Sequence, residues 1–385
     1  MPHYLVKGQI PKKRHVVFEK PEGGLYAEEV VSSEGFSDIY SIVYHLNPPT
    51  KVIKIDEPVD VTPRAAVEKN LQNRSFKGFD IQPEEDYLES RKTVLFNDNI
   101  QILIAAPKKS MTGYFFKNAH ADEMIFVHHG SGVFKSVFGD LPFEPGDHIV
   151  VPRGTVYQFT FNSEDNKLFI VESYAPLRFP KRYLNSEGQL LEHAPFYQRD
   201  IKVPQNLVTH DEKGDFLIKI KSQNNIYGYH YQHHPFDAIG WDGYHYPYSI
   251  SIYDFEPLTG RIHQPPPVHQ TFETAYFVTC AFVPRLYDYH PKAIPAPYHH
   301  SNIDSDEVLY YVDGNFMSRN NIGKGQITLH PMGLPHGPHP GAIERSIGKK
   351  ETKEYAVMVD TFQPLKLTEK AMSIEVKDYY KSWLD

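Results

Sequence analysis

Short stretches of alternating apolar and polar residues run through this chain, interrupted every few positions by glycine or proline. That pattern predicts half-buried strands rather than helices. The stretches are Gln101–Ala105, Glu123–His129, Ile149–Val151, Lys167–Val171, Tyr248–Tyr253, Tyr276–Val283 and Tyr355–Val359. Within them Ile125 and Val127, like Ile149 and Val151, stand two apart and are expected to share a face. Only the segment from Thr368 to Leu384 reads as helix, because Thr368-Glu-Lys-Ala begins like a capped one.

The two halves repeat each other weakly. Glu123-Met-Ile-Phe-Val-His-His-Gly130 leads into Pro145-Gly-Asp-His-Ile-Val-Val-Pro-Arg-Gly154, and Glu307-Val-Leu-Tyr-Tyr-Val-Asp-Gly314 leads into Gly325-Gln-Ile-Thr-Leu-His-Pro-Met-Gly333. Each unit reads strand, Gly turn, strand, Gly turn, strand, Pro-x-Gly turn. A duplicated run of short strands predicts an all-β protein of two barrels with a few short helices. A polar, proline-containing stretch around 175–215 suggests a division into residues 1–200 and 201–385.

Composition narrows the classes. A total of 31 prolines, 24 glycines, 26 tyrosines and 24 phenylalanines suits turns and strands. A net charge of −8 lacks the basic excess of a nucleic-acid partner. No apolar run is long enough to span a membrane, and the N-terminus lacks a secretory layout, so the cytoplasm is expected. The single cysteine, Cys280, lies in an apolar run and is expected to be a buried thiol.

The candidate chemistry sits in the second half. His300-Ser-Asn302, Glu307 and Gly314, then Gly325, Pro331, Gly333 and His336, match the two signature motifs of the cupin superfamily nearly position for position. Asn302 stands where the first motif has its second histidine. Alternation along the strands turns His300, Asn302 and Glu307 to one side, and the Pro-x-Gly turn brings His336 in from a partner strand. Two imidazoles and a carboxylate on one face form the facial triad of non-haem Fe(II) oxygenases, with open positions opposite. In the first copy the same positions fall on Phe116, Asn118, Glu123 and Tyr157, so a metal is expected only in the second.

The text also resembles the homogentisate 1,2-dioxygenases, especially the bacterial ones, over nearly its whole length. The resemblance rests on Phe236-Asp-Ala-Ile-Gly-Trp-Asp-Gly-Tyr-His-Tyr-Pro-Tyr248, His263-Gln-Pro-Pro-Pro-Val-His269, Tyr298-His-His-Ser-Asn302 and Leu329-His-Pro-Met-Gly-Leu-Pro-His-Gly-Pro338. It implies two cupin barrels (double-stranded β-helices), Fe(II) on His300, Glu307 and His336, and a trimer-based homo-oligomer. It also implies a small aromatic substrate and O2 as partners, homogentisate being opened to maleylacetoacetate. His330 falls on a histidine beside the substrate and is the expected proton carrier, with His263, His269 and Asp242 competing. Asn302, Phe316 and His336 are expected to touch the substrate.

The sequence departs from the family at three places. Asp242 stands where the family's catalytic histidine would be, and is expected either to orient an imidazole or to cap its own turn. Phe316 replaces a tyrosine, and Ser301 an arginine. A cupin dioxygenase for another hydroquinone-type or aromatic acid, such as gentisate, is therefore the alternative enzyme. A metal-binding bicupin without catalysis is the alternative outside enzymes.

Overall fold

The computed structural model describes residues 3–384 except 266–268, 297, 317, 320 and 321. Its strands form an all-β fold of two cupin-type barrels, and its described α-helices are single turns at Tyr87–Ser90, Ala342–Ser346 and Glu369–Ser373. The expected C-terminal helix is thus shorter than its text suggested. Thr368 does cap its start, accepting the Ala371 amide, but the turn ends by Ser373 and a 3-10 turn follows at Tyr379–Trp383. No described helix is long and apolar enough to cross a membrane.

Strand Asp122–His129 shows how the barrels share their interior. It is buried along almost its full length, so its alternation separates two cores rather than core from water. Ile125 and Val127 point into the first barrel beside Phe116, Phe134 and Phe159. Met124 and Phe126 point the other way and join Val308, Tyr310 and Leu329 from the second half. Cys280 is buried among the second barrel's inward residues, with Leu309, Tyr311 and Met358.

The expected division at residue 200 does not follow a sheet boundary. Strands Lys213–Ser222 and Tyr248–Ser251 pair with Phe115–Asn118 and Asp147–Val151 of the first barrel. Strand Arg74–Lys77 extends the second barrel's sheet beside Gln326–His330, while Lys366–Leu367 pairs with Lys92–Phe96 of the first. These exchanged edges bury strand edges that would otherwise be exposed, and they tie the halves together through the backbone.

The duplication is visible in hydrogen bonds. Asp122 accepts the Arg153 amide at 3.1 Å and the Leu177 amide at 3.0 Å. Asp306 accepts the Met332 amide at 2.8 Å and the Leu365 amide at 2.7 Å. Each aspartate fixes its barrel's Pro-x-Gly turn and so sets the depth of the glutamate that follows it. In the first barrel that glutamate, Glu123, accepts from the Arg91 guanidinium at 2.6 Å and from the Tyr157 hydroxyl at 2.8 Å. Arg91 also reaches Glu172 at 2.5 Å, and the Lys221 ammonium binds the other oxygen of Glu172 at 2.5 Å. A side-chain cation thus occupies the carboxylate.

Replacing Arg91 with Met leaves Glu123 and Glu172 buried without their shared cation. This should lower stability by about 3–5 kcal/mol, the cost of breaking one side of a buried ion pair, seen as a lower urea midpoint. Burial alone would raise the Glu172 pKa, but Lys221 and Arg91 hold it below its ordinary value. A folded-state pKa below the unfolded one stabilises fully above the unfolded value of about 4.3 and is lost as pH falls through the folded value. The thermal midpoint should therefore fall on acidification through that window; a level midpoint there contradicts the account.

Candidate metal centre

Three donor atoms meet on the inner face of the second barrel. Glu307 lies near the start of strand Asp306–Gly314, directly opposite His330 on the neighbouring antiparallel strand. His300 and His336 form a separate two-residue bridge in which each amide donates to the other's carbonyl at 2.8 Å. Residues directly opposed in an antiparallel pair project to the same side, so the register aims all four side chains together. The turn between His330 and His336 needs Gly333, whose φ is +76° in otherwise open space; its glycine serves the left-handed backbone, not a close approach.

The geometry suits a metal ion. His336 Nε2 lies 3.3 Å from Glu307 Oε1, and His300 Nε2 lies 3.6 Å from Oε2. The donor atoms of all three residues lie within 4.8 Å of one another, close enough for a single ion to draw them together. His336 Nδ1 donates to the Leu334 carbonyl at 3.2 Å. A carbonyl only accepts, so the proton sits on Nδ1 and Nε2 offers its lone pair inward. That Nε2 is buried and has no hydrogen-bond partner among the described residues. Burial alone would raise the Glu307 pKa, but the surrounding imidazoles of His300, His330 and His336 hold it well below the usual range. An anionic carboxylate beside two free imidazole nitrogens fits a divalent transition metal.

His330 has a different place from the one expected. It is wholly buried, and its Nδ1 donates to Glu307 Oε1 at 2.8 Å. Its ring stacks on His336 with centroids 4.3 Å apart, and Trp383 closes the far side at 6.3 Å. Burial pushes its pKa down to about 3. It does not line the cavity, so it is placed to orient Glu307 rather than to carry a substrate proton.

A cavity of about 510 Å³ opens in front of the triad, bordered by His300, Glu307, Asn302, Phe316, His263 and His269. His336 reaches the centre from behind this lining. Leu309, Ala356 and Met358 form an apolar floor, where the first barrel is filled by phenylalanine and tyrosine. Phe316 packs edge-on against Tyr311 at 4.8 Å. His263 has its Nδ1 3.8 Å from Asp288, and burial lowers its pKa from 6.5.

Asp242 is elsewhere. It lies on strand Ala238–Gly243 among residues 5–8 and 40–45 and is absent from the cavity wall. Its partner is the Tyr4 hydroxyl, which donates to it at 2.7 Å. It therefore neither orients an imidazole of the centre nor caps its own turn.

Asp360, Arg285 and Arg319, which no motif in the sequence marks, also line the cavity. Asp360 stands opposite Glu307 on the adjoining strand, and burial together with that neighbour raises its pKa well above the usual range. Its signal was present as the alternation of Glu354, Ala356, Met358 and Asp360, read only as a strand.

A family model described as Homogentisate 1,2-dioxygenase N-terminal matches residues 6–254. A Saccharolobus solfataricus protein named "Putative dioxygenase" is 42% identical over 385 residues, covering 100% of this chain and 99% of its own length. The Homogentisate 1,2-dioxygenase of Nitrobacter hamburgensis is 27% identical over 293 residues, 71% of this chain and 64% of that relative. This chain thus spans less than two thirds of the latter's length. Among solved structures, a Cupin 2 conserved barrel domain protein from Leptotrichia buccalis overlaps 81% of this chain and 98% of its own at 11% identity, with a TM-score of 0.30. So loose an overlap has no bearing on the site.

Two variants test the centre. His336→Ala should abolish retention of Fe(II) through desalting, measured by metal analysis. His330→Gln should keep the site but weaken Fe(II) affinity by about 10–100-fold, as loss of an orienting partner does. Full iron retention by His336→Ala, or unchanged affinity in His330→Gln, contradicts these assignments.

Proposed function

This chain belongs to the homogentisate 1,2-dioxygenase family, and from that membership we propose that it is an Fe(II)-dependent dioxygenase opening the ring of a hydroquinone-type aromatic acid. The leading substrate is homogentisate, with maleylacetoacetate as product. The observation that carries the reading is the buried Nε2 of His336, which has no hydrogen-bond partner among the described residues and faces Glu307 and His300 beside a cavity with an apolar floor.

Fe(II) held there supplies a Lewis acid for a phenolic oxygen and a redox centre for O2. Residues of the chain do the remainder. His300, Glu307 and His336 hold the ion, while His330 fixes the carboxylate of Glu307 from behind. Leu309, Met358 and Phe316 offer an apolar surface to the ring and exclude water from it. Asn302 borders the same space and can hydrogen-bond to a ring substituent.

The proton acceptor best placed on the wall is His263. Its pKa lies below 6.5 because burial disfavours its charged form, so at neutral pH its imidazole is free to accept the phenolic proton at a ring nitrogen. Asp288 beside it favours the imidazolium that results.

Iron-loaded protein should consume O2 with homogentisate faster than with gentisate or unsubstituted hydroquinone, measured with an oxygen electrode. The acidic limb of kcat/KM should fall below about pH 6.5, and His263→Gln should remove that limb and lower kcat about 10²-fold or more. Faster turnover of gentisate reassigns the substrate. An intact acidic limb in His263→Gln reassigns the base.

A further inference from the structure

Away from the triad, the cavity wall carries a second group of buried polar atoms without partners. His269 is only 1% exposed, and neither of its ring nitrogens has a hydrogen-bond partner among the described residues. Arg285 Nη1 is likewise buried and without a partner. Both side chains line the cavity. Both pack on the Phe282 ring, His269 with its ring centroid 6.1 Å away and the Arg285 guanidinium 5.9 Å away, and burial together with that charge presses the imidazole's pKa down to about 3. Neutral His269 therefore has one N–H to donate, next to the donors of a permanent cation. A buried donor left unsatisfied is destabilising, the more so when charged, so two such donors against one ring mark a place for an acceptor.

Sheet register places this pair relative to the iron site. Phe282 stands opposite Ala356, and Ala356 opposite Tyr311. Tyr311 is four residues along the strand from Glu307, about 13 Å at strand rise. The Arg285 guanidinium lies over the Phe282 ring, 5.9 Å from its centroid, and so sits at this far end. Leu309, Met358 and Ala356 lie between the two ends. The slot has the candidate metal ligands at one end, an apolar middle, and a guanidinium with an imidazole at the other. It fits a ring that gives one oxygen to the metal and carries a carboxylate on a short arm pointing away.

We infer that Arg285, assisted by His269, docks the carboxylate of the aromatic substrate and thereby selects acids over plain hydroquinones; this deepens, and rests on, the reaction proposed above. A planar guanidinium matches a carboxylate with two parallel N–H donors. A site built for that pairing rejects a substrate lacking the acid, because the donors would again be left unpaired.

The test uses binding, so that it does not depend on turnover. Phenylacetate and methylhydroquinone are titrated by calorimetry into the iron-loaded wild type, Arg285→Gln and Arg285→Lys, with folding checked by circular dichroism. Arg285→Gln should weaken phenylacetate at least about tenfold and leave methylhydroquinone nearly unchanged, with Arg285→Lys intermediate. Should Arg285→Gln not fold, a selective loss of phenylacetate in Arg285→Lys supports the inference equally. Unchanged phenylacetate affinity in the folded variants, or equal loss of both probes, overturns it. Binding of phenylacetate that depends on Arg285 without any O2 consumption supports the docking role and removes only the proposed reaction.

Discussion

Two backbone hydrogen bonds, from His300 to His336 and back, hold the candidate centre together. They form an isolated bridge outside the named strands and make the two imidazoles neighbours, with ring centroids 4.3 Å apart. The Glu307–His330 register pairing does the same within the sheet, bringing His330 Nδ1 to 2.8 Å from Glu307 Oε1. Because side chains alternate at every residue, a slip of one position in either pairing would turn a ligand out of the barrel. Asp306 guards against that slip by tying the strand to the Pro-x-Gly turn and to the chain at Leu365.

The first barrel shows the same framework with other side chains. Phe116 pairs with Tyr157 as His300 pairs with His336, and Glu123 pairs with Val151 as Glu307 does with His330. There the carboxylate meets a guanidinium and a hydroxyl, and phenylalanine rings fill the space in front of it. In the second barrel Leu309, Ala356 and Met358 stand in the corresponding interior and leave it open. One framework thus yields a packed core in one copy and an open cavity beside the candidate metal ligands in the other.

The triad was legible because cupin spacing is a local property. Each ligand is set by its distance from a glycine or proline a few residues away, and the strand period then fixes its side. The strands themselves were legible for the same reason. What escaped depends on pairing between distant segments. His330 looked like a proton carrier because it is close to His336 in sequence, yet its place opposite Glu307 puts it behind the carboxylate. Asp242, at the position of the family's catalytic histidine, was expected to orient an imidazole or cap its own turn, but its strand pairs with the N-terminal segment and it accepts from the Tyr4 hydroxyl. Arg285 reaches the cavity only through the strand order, which no local pattern reports. Trp383, which closes the back of His330, comes from a C-terminal turn with no signal beyond one large aromatic. The exchanged strands at 74–77 and 366–367 were invisible because two- to four-residue edges carry too little alternation to read.

The proposed reaction requires this centre to deliver both atoms of O2 to an opened ring. The direct measurement is a single turnover of the iron-loaded protein with homogentisate under ¹⁸O-labelled dioxygen, followed by mass spectrometry of the product. Ring-opened product carrying both labelled atoms is the predicted result. A hydroxylated intact ring carrying a single label, or unlabelled product, would contradict it.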